Sequence, residues 1–181
     1  GFVSLGAQAE KAGWQAEIYD AMSLRHDHAR IEEVLSEKEF DVLALSAITP
    51  TYPDAAEVCR PAKKVRPGCT PVLGGVHPTF LADAILASDT AVDYVLAGEG
   101  ELPLHEFLKG FADAATRHRT PNLVYRGDFN PVHNPKLALV EDLDVLPMSW
   151  NLLDWDLYTY FVIPGSRLGA VSTSRGCNHG C

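Results

Sequence analysis

Asp41-Val42-Leu43-Ala44-Leu45-Ser46 is a near-continuous apolar run that ends on a hydroxyl. An apolar stretch this short, with no polar alternation, is the pattern of a strand covered on both faces. The flanking sequence repeats the theme. Downstream, a helix is expected from about Pro53, a residue suited to a first helical turn, with Pro61 expected to kink or restart it. Cys69-Thr70-Pro71-Val72-Leu73 reads as the next strand and runs into Gly74-Gly75. Residues 78–87 read as helix, Ala91 to Leu96 as strand, and Leu102 to Ala114 as helix. Upstream, Arg30 to Leu35 carries a helical apolar stripe, and Gln15 to Tyr19 reads as a short strand closing on Asp20. Leu5, Ala9 and Ala12 share one face at three- and four-residue steps, with Gly13 at the left-handed position that ends a helix. Strands and helices alternating through short links imply right-handed crossovers and a parallel sheet with helices on both sides.

The chain opens directly in a helix, without Met. The first strand of such a sheet is therefore expected to precede residue 1. In a sheet ordered 2-1-3-4-5 that strand is central, and the strands at 15–19 and 41–46 would flank its slot, an exposed edge of the kind proteins avoid.

After Thr116 the texture changes. Asn122 to Arg126 and Lys136 to Val140 flank a turn rich in Gly, Asp, Asn and Pro, which predicts a β-hairpin. Residues 142–160 are aromatic and punctuated by Pro, without periodicity, as expected of a linker packed on a surface. Leu168 to Thr173 reads as a strand delivering Cys177-Asn178-His179-Gly180-Cys181. The expected organisation is an α/β domain over 1–115, a hairpin and linker over 116–167, and the start of a further domain over 168–181.

At 181 residues and 46% hydrophobic, the chain is long enough to bury a substantial core. A net charge of −9, with 15 Lys and Arg forming no basic run, argues against a nucleic-acid surface. No apolar stretch approaches the roughly 20 residues of a membrane span. Four cysteines without the spacing of a secreted scaffold suggest a reducing cytoplasm. Cys59 and Cys69 read as buried small hydrophobes. Arg25, His26, Asp27 and His28 read as a solvated loop ending in a helix start.

Ligands of open parallel sheets gather at the carboxyl ends of the strands. Three loops there are small and polar: Ser46-Ala47-Ile48-Thr49-Pro50-Thr51, Gly74-Gly75-Val76-His77-Pro78-Thr79, and Gly98-Glu99-Gly100-Glu101. Paired glycines admit close backbone approach to a flat ligand. Hydroxyls of Ser46, Thr49 and Thr51 can hydrogen-bond a ligand tail. Glu99 and Glu101 are also consistent with an acidic helix start. At the far end, Cys177 and Cys181 are soft thiolates of the type that hold iron–sulfur clusters.

Ser46-Ala47-Ile48, then Gly74-Gly75 with 25 residues between, then Gly98-Glu99-Gly100-Glu101 and Ser174-Arg175-Gly176-Cys177-x-x-x-Cys181 together resemble the cobalamin-dependent radical S-adenosylmethionine (SAM) proteins. Among them, anaerobic magnesium-protoporphyrin monomethyl ester cyclases are the most similar group. The resemblance covers nearly the whole chain. It implies a Rossmann-like, flavodoxin-like sheet of the cobalamin-binding type over 1–115 and the first strand of a radical SAM barrel from 168. Cobalamin would be bound by Ser46, Thr49, Thr51, Gly74, Gly75, His77, Gly98, Glu99 and Gly100. His77 either lies against the corrin or is a loop histidine bonded to backbone. Cys177, Cys181 and a third cysteine falling at 184 would hold a 4Fe–4S cluster that binds SAM. The implied reaction is an oxidative cyclisation on a small molecule such as a porphyrin, fed by an electron donor such as ferredoxin or flavodoxin. Methyl transfer is one alternative, and a corrin fold retained only as scaffold is another. An open pocket over Ser46, Gly74 and Gly98, unfilled by Tyr52 or Phe80, separates a binding domain from a scaffold.

Overall fold

The computed structural model describes residues 1–176. Its elements are helix α1 (Phe2–Lys11), α2 (His28–Glu37), strand β1 (Val42–Ser46), α3 (Tyr52–Val65), β2 (Thr70–Gly74), α4 (Val76–Ser88), β3 (Tyr94–Leu96), α5 (Glu101–Lys109), α6 (Ala114–Arg117), β4 (Leu123–Arg126) and β5 (Pro131–His133). The sheet runs β1-β2-β3-β4-β5. The first three strands are parallel, while β4 and β5 add antiparallel to β3. The α/β class holds, with a mixed sheet in place of a purely parallel one. Ser46 pairs with Gly74 in register, so β1 and β2 end at the same level.

Alternate residues of each strand feed opposite layers. Leu73, Val95 and Val124 pack under α3 and α4 with Ala55, Cys59, Ala82 and Ile85. Val72, Tyr94, Leu96 and Leu123 pack on the other face with Leu104 and Phe107 of α5, joined by Leu5 and Ala9 of α1. Fully burying a side chain such as Phe107 is worth about 2–3 kcal/mol. Helix α2 forms a third cluster, Ile31 and Leu35 against Val58, Ala62 and Cys69. Asp27 caps α2 by accepting the Arg30 N–H, as the loop reading of 25–28 anticipates. At the end of α1, Gly13 takes φ +87°. The Trp14 N–H then reaches the Ala9 carbonyl and the Gly13 N–H that of Glu10, a Schellman closure.

Several expectations change. Residues 15–19 form no strand, since they pair with none among the described residues. Tyr19 instead joins the α2 cluster beside Phe40 and Leu43. The outer edge of β1 is thereby left unpaired, with Ala44 and Ser46 exposed. Helix α3 runs from Tyr52 to Val65 with Pro61 inside it. The hydrogen bond that Pro61 forgoes would go to the carbonyl of Glu57, on the exposed side, while Ala55, Val58, Cys59 and Ala62 stay buried. The hairpin partner of β4 is 131–133 rather than 136–140, which the tight turn over Gly127 brings into register first. Residues 168–173 form no strand, having only the isolated Thr159–Arg167 bridge beside them.

Candidate cofactor site

The three polar loops meet at the carboxyl ends of β1, β2 and β3. Gly75 adopts φ +93°. A Cβ there would lie 2.6 Å from the Ala47 carbonyl oxygen and 2.8 Å from Ser46 Oγ. Its glycine identity therefore serves close packing of the second loop on the first. Gly74 is different: a Cβ would meet only the Leu96 and Leu45 carbonyl oxygens, at 3.7 and 4.0 Å, which is ordinary contact. The Ala47 N–H donates to the Gly74 carbonyl (2.9 Å) and the His77 N–H to the Ala47 carbonyl (3.2 Å), locking the first two loops together.

His77 Nδ1 and Thr49 Oγ1 share a hydrogen bond at 3.2 Å. The His77 ring stacks on Tyr52 at 4.3 Å between centroids. Burial pushes the Tyr52 phenol above its ordinary pKa, with Asp89 adding to the effect. Thr51 turns inward: its hydroxyl accepts the Ile48 N–H and donates to the Ile48 carbonyl, closing a 3-10 turn over Thr49–Thr51. Thr79, which no sequence signal singled out as a site residue, joins the second loop to the third. Its hydroxyl donates to the Gly75 carbonyl at 2.7 Å and accepts the Gly98 N–H at 2.8 Å. Gly98 has φ +84°, and Gly100 begins α5, where an added Cβ would sit 3.3 Å from Leu5. Asn122, also at positive φ, holds the base of the third loop by donating to the Ala97 carbonyl.

The carboxylates of the third loop face elsewhere. Glu99 accepts the Val140 N–H at 2.8 Å, and both Glu99 and Glu101 pair with Arg175. The structure thus brings Ser46, Thr49, Gly74, Gly75, His77 and Gly98 to one surface, and spends Thr51, Glu99 and Glu101 on the chain's own contacts. Cys177 and Cys181 lie outside the described residues. Among the described residues no group of three or more His, Cys, Asp or Glu could hold a metal, and no helix is long and apolar enough to cross a membrane.

The surface these loops frame is open. Phe80 is 80% exposed, while Tyr52 lies half-buried against His77. Ile48, Val76 and Leu81 are exposed beside it. A rigid, cross-linked rim of hydroxyls and an imidazole with apolar flanks suits a broad, partly apolar ligand with polar side groups, and a corrin has that character. A recess of about 340 Å³ lies at the opposite, amino end of the sheet, among Asp93, Tyr94, Arg117, His118 and Tyr125. Arg117 there is already engaged by the Tyr94 hydroxyl and the Phe111 carbonyl, so that recess is a polar seam of the fold.

Such a surface at the carboxyl ends of parallel strands marks an α/β domain of the class that takes its ligands there. The chain belongs to the B12 binding domain family, whose pattern it matches over residues 1–108. It is 31% identical over 176 residues to the anaerobic magnesium-protoporphyrin IX monomethyl ester cyclase of Cereibacter sphaeroides, covering 95% of this chain and 29% of that protein. It is 27% identical to an uncharacterized methyltransferase of Pyrococcus horikoshii, covering 91% of this chain and 35% of the relative. The chain thus spans about a third of the length of these relatives. Its fold is that of TsrM, a radical S-adenosylmethionine methyltransferase from Kitasatospora setae solved with cobalamin and a 4Fe–4S cluster bound. The TM-score is 0.62 at 18% identity, over 80% of this chain and 27% of that one.

Proposed function

We propose that this chain is the cobalamin-binding part of a cobalamin-dependent radical SAM enzyme whose reaction is an oxidative cyclisation of the magnesium-protoporphyrin ester type. The open end of the sheet, where three loops are braced on one another and flanked by exposed apolar side chains, is the observation that carries it. Ser46, Thr49, Gly74, Gly75, His77 and Gly98 would line the corrin. Bound there, cobalamin supplies a cobalt centre able to exchange electrons or carry a methyl group. The chain's own residues hold it flat: backbone at Gly74 permits close approach, and Thr49 and His77 offer hydrogen bonds to side amides. Tyr52, stacked under His77, fixes the imidazole plane. Cys177 and Cys181, with a third cysteine, would hold a 4Fe–4S cluster that binds SAM, with a ferredoxin or flavodoxin as electron source and a porphyrin as substrate.

Methyl transfer is the second reading, favoured by the methyltransferases among the relatives. The test is a visible spectrum of the full-length protein after anaerobic reconstitution with iron, sulfide and hydroxocobalamin. A corrin spectrum should survive gel filtration and be lost in Gly74→Leu, whose Cβ the fold accommodates. Failure of the unaltered protein to retain corrin, with iron bound, would reduce this domain to a scaffold. Incubation of the loaded protein with magnesium-protoporphyrin ester and SAM then separates the two readings by product mass, since cyclisation and methylation change it differently.

A further inference from the structure

Arg175 reaches back across the molecule to the loop after β3. Its Nη1 lies 3.4 Å from Glu99 Oε1 and its Nη2 2.5 Å from Glu101 Oε1. The Glu101 side chain is only 7% exposed, against 22% for Glu99 and 33% for Arg175. A carboxylate so enclosed is costly without a partner. The first turn of α5 favours its charge, and Arg175 is the one cation among the described residues within ion-pair distance of it. The rest of the segment is loosely held. Residues 169–174 make no hydrogen bond to the chain among the described residues, and Leu168 and Val171 are exposed. A single guanidinium fork on two carboxylates therefore anchors this stretch. A lysine, as a point charge, would not span both.

We propose that Glu99 and Glu101 are positioning residues: by clamping Arg175 they hold the stretch that leads into Cys177 against the loop after β3. Cys177 follows Arg175 by two residues in the sequence. The same loop that closes the rim through Gly98 thereby holds the stretch leading into Cys177. This inference rests on the reading of Cys177 and Cys181 as cluster ligands.

The test uses the full-length protein and two readouts. Without metal or cofactor, thermolysin cleavage at the exposed Val171 should accelerate about tenfold or more in Arg175→Gln and in Glu101→Gln. The double variant should add little, because both changes remove one interaction. After anaerobic reconstitution with iron and sulfide, the reduced cluster's electron paramagnetic resonance spectrum should broaden in Arg175→Gln at unchanged iron content. Arg175→Lys should recover part of the original line shape. Unchanged cleavage in the variants overturns the clamp. Faster cleavage with an unaltered spectrum overturns the positioning role. An unaltered protein that binds no iron overturns the ligand reading and this role with it, and the cleavage rates show whether the clamp itself stands.

Discussion

Gly75 and Cys59 show how little room this fold leaves at single positions. Cys59 is fully buried in the layer under α3, where its thiol faces the Ala55 carbonyl at 3.4 Å. Burial first, and then the nearby Asp89 carboxylate, push the thiol up to about 12. Since the thiolate is the reactive species, Cys59 should resist iodoacetamide at pH 8 in the native protein and alkylate once urea unfolds it. Peptide mass mapping with and without urea checks this, and native labelling of Cys59 would contradict the packing. The need for glycine at 75 was legible in the sequence as a Gly-Gly pair after a strand. Its cause was not, because the atoms that exclude a Cβ belong to Ser46 and Ala47, a full strand and helix away. Thr79 and Arg175 were illegible for the same reason. Their partners sit 19 and more than 70 residues off, and no local pattern marks a hydroxyl or guanidinium that acts at such range.

The linker over residues 142–160, which lacked any periodicity, is ordered by local chemistry repeated along it. Asp142 and Asp154 each accept the backbone N–H two residues on, starting 3-10 turns at Leu143–Val145 and Trp155–Leu157. A third turn, Trp150–Leu152, drops Leu152 onto α1 at Gly6, where an added Cβ would lie 2.5 Å from the leucine Cδ1. Ser149 donates to Glu10, and the Tyr158 hydroxyl donates to Asp20 at 2.7 Å. Burial, reinforced by that bond, pushes the Tyr158 phenol up to about 12. Burial alone would raise the Asp20 carboxyl, but bonds from the Ser23 N–H and the Tyr158 and Ser23 hydroxyls bring it below its ordinary value. The signs are opposite. Asp20 supports docking above the ordinary carboxylate pKa of about 4, and that support is lost as pH falls through its lower folded value. Tyr158 supports docking below about 10 and loses it as pH rises toward its folded value. Tryptophan fluorescence from Trp150 and Trp155 should therefore report undocking at both extremes. Tyr158→Phe should weaken docking by about 1 kcal/mol and abolish the alkaline limb. An alkaline limb that persists in the phenylalanine variant would place the transition elsewhere. The Asx turns could be read locally. The strands expected at 15–19 and 136–140 could not be corrected locally, because a strand exists only through a neighbour that the segment itself does not name.

At the scale of the whole molecule, the sheet is legible where apolar residues run on without alternation, although β1, expected to be covered on both faces, leaves Ala44 and Ser46 exposed. The runs at β1, β2 and β3 stand where apolar continuity puts them. The first hairpin strand at β4 was legible from its apolar run and the turn after it, while its antiparallel pairing with β3 and the half-exposed β5 were not. One edge has no partner strand among the described residues. The Thr70 N–H donates to the Asp41 carbonyl and the Ala47 N–H to the Gly74 carbonyl, so odd-numbered residues from 41 to 47 face β2. In a ladder of evenly spaced bonds, Val42, Ala44 and Ser46 then turn their amides outward. Hydrogen exchange on this chain should alternate along β1, fast at 42, 44 and 46 and slow at 43, 45 and 47. Uniform protection would mean that the edge is covered.

The docking of the linker on α1 carries a consequence for how the chain is made. Ser149 meets Glu10 across 139 residues and Tyr158 meets Asp20 across 138. At ribosomal rates of about 5–20 residues per second, roughly 7–28 s separate the emergence of these partners. Through that interval α1 has its α5 side available once α5 appears, but its Gly6 face stays wet. Helix α1, made well before its linker partners, is thus finished long after it forms, a job for holdase chaperones.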